Sequence, residues 1–176
     1  MLTRATDSDV PAIVELMNVA FRATGSGASW NSEAHIIDGN RTTEELLRAE
    51  LGERPDVALF VWRADPAGVI HGCVSLEPTA DGVWYLGTLS VDPRLQNSGF
   101  GRRLLRAAEE WAKEQGARVI RLKVVNARET LIAWYVRRGY RLTGETQPFP
   151  HDDRRFGTPR RDDLNFVILD KEIRER

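Results

Sequence analysis

The densest chemistry in this chain lies in Leu89-Ser90-Val91-Asp92-Pro93-Arg94-Leu95-Gln96-Asn97-Ser98-Gly99-Phe100-Gly101-Arg102. An apolar strand runs into a turn at Pro93, and a glycine pair then opens a helical pattern. Gly99 and Gly101 have no Cβ, so the main chain can turn tightly there and bring its N–H groups close to a ligand. The first N–H groups of a helix have no partner within it, and the helix dipole adds partial positive charge at that end. Such an arrangement binds phosphate. Arg94, Arg102, Arg103 and Arg106 surround it, with Asp92 as the acidic residue just before them. A plain strand-to-helix turn beside exposed arginines accounts for the two glycines alone equally well. Two other phosphate loops are excluded. The dinucleotide fingerprint needs a third glycine where Leu104 stands, and the GxxxxGK[ST] loop needs a lysine where Arg102 stands.

Gln96-Asn97-Ser98-Gly99-Phe100-Gly101 resembles the Gln/Arg-x-x-Gly-x-Gly/Ala signature of the GNAT superfamily, the acetyl-CoA-dependent N-acetyltransferases. Leu86–Pro93 is similar to that family's central splayed strand. Asn126, followed by Trp134-Tyr135-Val136-Arg137-Arg138-Gly139-Tyr140, resembles its second motif. The likeness spans roughly Val83–Leu142 and is less diagnostic over the first fifty residues. It implies that the main-chain N–H groups of Gln96, Asn97, Ser98, Gly99, Phe100, Gly101 and Arg102 hold the pyrophosphate of coenzyme A. It implies further that Leu89 and Val91 pair their main chain with the pantetheine arm, in a gap between their strand and Val119–Val125, and that Asn126 hydrogen-bonds the arm. Similar proteins are often dimers, so a homodimer is an expectation by resemblance.

Moving an acetyl group from a thioester to an amine needs a neutral amine, stabilisation of an oxyanion and a proton for the leaving thiolate. Tyr135 matches the family's acid tyrosine, and a phenol with a pKa of about 10 is protonated at neutral pH. Leu131, Ile132 and Tyr135 also share a helical face, so spacing alone reads Tyr135 as a core residue. A main-chain N–H near Leu89–Val91 is the expected oxyanion donor. The strand Val83–Val91 carries no carboxylate, which leaves Glu77 and Glu145 as candidate bases, though an ordinary surface charge accounts for each of them better. His71 and Cys73 alternate along one strand; packing accounts for them better than a nucleophile pair, which needs direct contact. Two loops are candidates for the acceptor side: Arg22–Asn40, with Trp30 and Glu33, and Thr146–Asp163, with its Pro148-Phe149-Pro150 and mixed charges. Amino acid, polyamine, antibiotic and protein N-terminus all stay open as acceptors. A binding module that holds acyl-CoA without turnover is the rival reading, and it has little need of Tyr135.

The elements that position these residues follow from periodicity. Met1–Ala5 reads as a strand, and Asp7 or Ser8 caps a helix with Val10, Ile13, Val14, Met17 and Phe21 on one face. Thr42 and Glu45 form a capping box for a helix to about Leu51. Val57–Trp62, Val69–Leu76 and Val83–Val91 form an antiparallel meander, with a turn over Pro78–Gly82. A helix runs from about Gly99 to Gln115 and stops at Gly116. Val119–Val125 is a strand, Arg128–Arg138 a helix, and Tyr140–Thr146 and Leu164–Asp170 are strands. This order predicts an α/β (α+β) fold, a mixed sheet with helices packed on it; the resemblance implies that the sheet is mostly antiparallel, with a splayed parallel strand pair and flanking helices.

At 176 residues the chain fits one domain, residues 1–176. Its 25 Lys and Arg against 26 Asp and Glu leave a net charge of −1. That balance argues against a nucleic-acid partner, whose binding rests on basic excess. Cys73 is the lone cysteine and the three histidines are scattered, so no metal site is expected. The N-terminus lacks the apolar core of a signal peptide, and no run is long enough for a membrane span, so a cytoplasmic location is expected.

Overall fold

The computed structural model describes residues 1–153, 155 and 157–173; Arg154 and Phe156 of the expected C-terminal loop lie outside the described residues. The strands are β1 (Leu2–Arg4), β2 (Ile37–Asp38), β3 (Ala58–Arg63), β4 (Ile70–Ala80), β5 (Val83–Val91), β6 (Val119–Val125), β7 (Arg141–Pro148), β8 (Thr158–Pro159) and β9 (Asn165–Glu172). The helices are α1 (Val10–Arg22), α2 (Glu44–Glu53), α3 (Phe100–Glu114) and α4 (Glu129–Val136). Seven strands form one sheet in the order β1-β3-β4-β5-β6-β9-β7. Every neighbouring pair is antiparallel except β5 and β6, which run parallel. The mixed sheet is the one the element order predicts, and its one parallel pair is the one the resemblance implies.

Helices cover the sheet on two faces, and β3 shows why. Phe60 points into a cluster with Val74, Leu76, Leu104, Leu105 and Ala108, under α3. Its neighbours Leu59 and Val61 point the other way, to Ile13, Met17, Leu47 and Cys73 under α1 and α2. Successive side chains alternate across a strand, so a sheet packed on both sides needs apolar residues at every position. That is why β3 reads as an unbroken apolar run.

Three boundaries differ from the sequence reading. The cap of α2 is Thr43, whose hydroxyl accepts from the Leu46 N–H at 3.2 Å, while Thr42 is buried. The helix therefore begins one residue later than the Thr42–Glu45 spacing suggests. The cap ahead of α1 is Thr6, with the Asp9 carboxylate accepting from its N–H at 2.9 Å and a short 3₁₀ turn, Asp7–Asp9, leading into the helix. Residues Pro78–Ala80 continue β4, because Asp81-Gly82 alone makes the hairpin turn, with Gly82 at φ 68°. The two loops expected on the acceptor side also meet: Ile37 and Asp38 pair with Pro159 and Thr158 as a small second sheet, β2 with β8.

Leu104 is fully buried where α3 meets the sheet. Leu104→Ala should lower the unfolding free energy by about 2–5 kcal/mol, read by urea denaturation. A loss below about 1 kcal/mol, the range of volume-conserving swaps, would show that α3 is not pinned there.

Candidate active site

The site begins where two strands part. Strands β5 and β6 pair only at Val83–Val119, Trp84–Ile120 and Tyr85–Arg121. Past Tyr85, β5 keeps its pairing with β4, and β6 keeps its pairing with β9 along its full length. The facing edges of Leu86–Val91 and Leu122–Val125 are therefore left without each other. The β4–β5 register also slips between Cys73 and Ser75, which oppose Ser90 and Gly87, so β5 holds one extra residue there. Thr88 sits in that bulge with φ 49° and a buried hydroxyl that has no hydrogen-bond partner among the described residues. Two hollows open from the gap. A groove of about 670 Å³ runs along Leu89, Val91 and residues 95–102 to Trp134 and Tyr135. A smaller cavity of about 130 Å³ lies among Gly87, Thr88, Lys123, Arg128 and Tyr135. Leu89, Asn31, Leu131 and Tyr135 line both, so they stand at the junction.

The end of the groove is built from main chain. Asn97 and Gly99 both adopt left-handed conformations, φ 61° and 76°, immediately before α3. That kinked approach turns a row of N–H groups to one side. Gln96 N–H bonds to Pro93 and Ser98 N–H to Leu95, and Phe100 N–H reaches the Ser98 hydroxyl. The N–H groups of Asn97, Gly99, Gly101 and Arg102 make no hydrogen bond among the described residues. Unpaired donors gathered at a helix start form a site for an anion. A Cβ on Gly101 would stand 3.6 Å from Trp134 and 3.7 Å from Val91, so this glycine keeps the groove floor open between them.

The arginines around this cradle are not those the sequence suggests. Arg94 is tied to Asp92 at 2.6 Å, Arg106 to Glu110 at 2.8 Å, and Arg103 lies over the Phe100 ring. Only Arg102 of the four lines the groove, joined by Arg137 and Arg138 from the end of α4. Arg138 stacks on Trp134 with its guanidinium 3.5 Å from the ring centre. Trp30 belongs to this groove rather than to the acceptor side: its N–H donates to the Gln96 side chain at 3.1 Å and its ring is 6.3 Å from Trp134.

Tyr135 is both a core residue and a wall of the site. It packs edge-on against Trp134 and Tyr140 and is almost fully buried, yet it borders groove and cavity alike. Burial pushes its phenol pKa well above the ordinary tyrosine value, so it stays a hydrogen-bond donor. Asn126 does not join it. The Asn126 amide donates to the Asp163 carbonyl at 3.0 Å and accepts from the Asn165 N–H at 3.1 Å, and it lines neither hollow. Its side chain fastens the entry of β9 to the end of β6.

In the smaller cavity, Glu33 accepts from Arg22 at 3.2 Å and Arg128 at 3.5 Å, all three side chains less than a tenth exposed. Arg128 also donates to Asn31. This triad joins the end of α1, the loop after it and the start of α4. Neither candidate base reaches the cavity: Glu77 is paired with Arg54, and Glu145 lies 3.5 Å from Arg121 on the surface. Cys73 is fully buried, and burial pushes its thiol up to about 12. Together with its place under α1, this makes it a packing residue. Sequence reading missed Arg41, Tyr85 and Lys123 at this cavity; their alternation along strands and loops carries no signal of a shared hollow. Among the described residues no group of His, Cys, Asp and Glu could hold a metal, and no helix is long and apolar enough to cross a membrane.

The model of the acetyltransferase (GNAT) family matches residues 16–140, and the chain belongs to that family. It is 37% identical over 98 residues to "Probable N-acetyltransferase 14" of Danio rerio, covering 55% of this chain and 35% of that protein. The match thus spans about a third of that relative's length. It is 28% identical over 144 residues to the uncharacterized N-acetyltransferase YhfO of Bacillus subtilis, covering 79% and 88% of the two chains. The structure of yncA from Salmonella typhimurium, determined with its cofactor acetyl-CoA, is similar at TM-score 0.67 and 20% identity, covering 100% of this chain and 95% of that one.

Removing the acid of the buried triad leaves two guanidinium groups facing each other out of water. Glu33→Gln should cost about 3–5 kcal/mol of stability, measured by chemical denaturation. A change within about 0.5 kcal/mol, as for an ordinary surface position, would mean that the triad does not hold the loop.

Proposed function

We propose that the chain, as one unit over residues 1–176, transfers an acetyl group from acetyl-CoA directly to a primary amine of a small molecule or peptide. The observation that carries this reading is the set of unpaired N–H groups at Asn97, Gly99, Gly101 and Arg102, at the end of a groove that leads to Tyr135. In this reading the N–H groups of Asn97, Gly99, Gly101 and Arg102 receive the pyrophosphate, while Gln96, Ser98 and Phe100, expected to donate as well, have their N–H groups engaged within the turn and shape it instead. Leu89 and Val91 offer the free edge of β5 to the amide-rich pantetheine arm, as a neighbouring strand would. The acetyl thioester then lies at the junction. The acetyl-CoA found with yncA supports the choice of donor.

The amine nitrogen attacks the thioester carbonyl carbon, and the C–S bond breaks as the amide forms. An N–H on the free edge near Leu89 stabilises the oxyanion of the tetrahedral intermediate. The Tyr135 hydroxyl hydrogen-bonds the departing sulfur, and the proton lost from the amine ends on the thiol. A phenol whose pKa burial has raised is a poor source of a fully transferred proton and a durable hydrogen-bond donor, so its main contribution is to stabilise the thiolate. Among the described residues the one carboxylate that lines groove or cavity, Glu33, is held by Arg22 and Arg128, so in this reading the amine enters neutral. The lone, inert thiol of Cys73 fits a reaction with no covalent enzyme intermediate and a cytoplasmic setting.

Calorimetric titration should show acetyl-CoA binding at micromolar concentration; absence of binding there would end this reading. Tyr135→Phe should lower kcat by about 10²–10⁴-fold while leaving the Kd for acetyl-CoA nearly unchanged. Loss of binding instead would make Tyr135 a structural residue only. Because the Tyr135 pKa lies above its ordinary value, kcat should rise as the amine deprotonates and show no falling limb below about pH 10. A falling limb near neutral pH would contradict the assignment.

A further inference from the structure

This inference rests on acetyl transfer at Tyr135 and concerns the cavity on the far side of that residue from the groove. Four cationic side chains line it, Arg22, Arg41, Lys123 and Arg128, against one carboxylate, Glu33. Glu33 is already shared between Arg22 and Arg128. Arg41 and Lys123 make no ion pair among the described residues. Arg41 instead lies over the Phe21 ring at 5.7 Å, and Lys123 lies between the Tyr85 and Phe166 rings at 5.8 and 4.7 Å. Aromatic faces hold a cation in place without neutralising it. We infer that the acceptor amine also carries an anionic group, a carboxylate or phosphonate, and that Arg41 and Lys123 receive it.

Three further features agree. The cavity, about 130 Å³, has the liquid volume of roughly four waters, room for a compact head group rather than a folded chain. The Thr88 hydroxyl in its wall is buried and has no partner among the described residues, leaving a hydrogen bond for a polar ligand to complete. Finally, neighbouring cations disfavour the charged form of a basic group; Arg41 and Arg54 act on Lys123 in that direction, after burial itself. An acceptor ammonium placed here is pushed the same way, toward the neutral amine that attack requires. One cluster of charge thus attracts the anionic end of the acceptor and helps deprotonate its amine, in a site with no free carboxylate base. A polyamine meets only repulsion.

The test measures thiol release from acetyl-CoA with the twenty amino acids and their uncharged amides, 2-aminoethylphosphonate beside 2-methoxyethylamine, and spermidine. The expected result is a kcat/KM at least tenfold higher for the anionic member of the best pair, with spermidine among the poorest. Lys123→Gln and Arg41→Gln should each raise KM for the anionic member and bring that ratio toward one. The ratio compares two substrates on one preparation, so it does not depend on the fraction folded. Equal rates within pairs, a preference for spermidine, or a ratio that survives both substitutions would overturn the inference and leave acetyl transfer standing. Absence of thiol release from every amine would remove acetyl transfer and this inference together.

Discussion

Everything in this site depends on a parallel ladder that stops after three pairs. A main chain left unpaired inside a fold is costly, so a gap between two central strands persists only where each strand is secured on its other side. Here β4 holds β5 and β9 holds β6, and both strands run on past Tyr85 and Arg121 with one edge free. The bulge at Thr88 adds a residue to β5 just where the gap widens. In the proposed reading, an amide-bearing ligand supplies the missing partner. The groove is thus a vacancy in a sheet, shaped by its neighbours.

The parting also fixes what can reach what. The cradle before α3 closes one end of the groove, and Tyr135 stands at the other, between groove and cavity. The loop after α1 serves both sides at once. Trp30 leans on Gln96 and Trp134 over the groove, while three residues later Glu33 draws Arg22 and Arg128 together beside the cavity. A buried triad of this kind is a weak source of net stability, since desolvation offsets much of the attraction. Its contribution is position: it sets the loop that runs between groove and cavity.

How much of this was legible in the sequence follows from range. The cradle was legible because its cause is local: two glycines, a proline and the start of an amphipathic helix lie within ten residues. Strand β3 was legible because burial on both faces imprints an unbroken apolar run, whereas the two-residue strands β2 and β8 pair across loops and leave no such pattern. Partnerships across the chain were not. Asn126 meets residues 37 and 39 positions away, and its amide is engaged with β9 rather than open to a ligand. Arg94 looked like a cradle residue but folds back two positions onto Asp92, whereas Arg137 and Arg138 arrive from a separate helix. The charge of the cavity was hidden for the same reason. Arg22, Glu33, Arg41, Lys123 and Arg128 are scattered over more than a hundred positions, and a near-neutral total conceals where they gather.

The claim on which the account turns is that the unpaired amides from Asn97 to Arg102 meet an anion while the free edge of β5 meets an amide chain. Backbone amide resonances of the labelled protein, followed as acetyl-CoA is added, test it most directly. The account predicts the largest shifts at Asn97, Gly99, Gly101 and Arg102, with a second set at Leu89 and Val91, and little change along β7. Saturable shifts that leave residues 97–102 unmoved and fall elsewhere would contradict it.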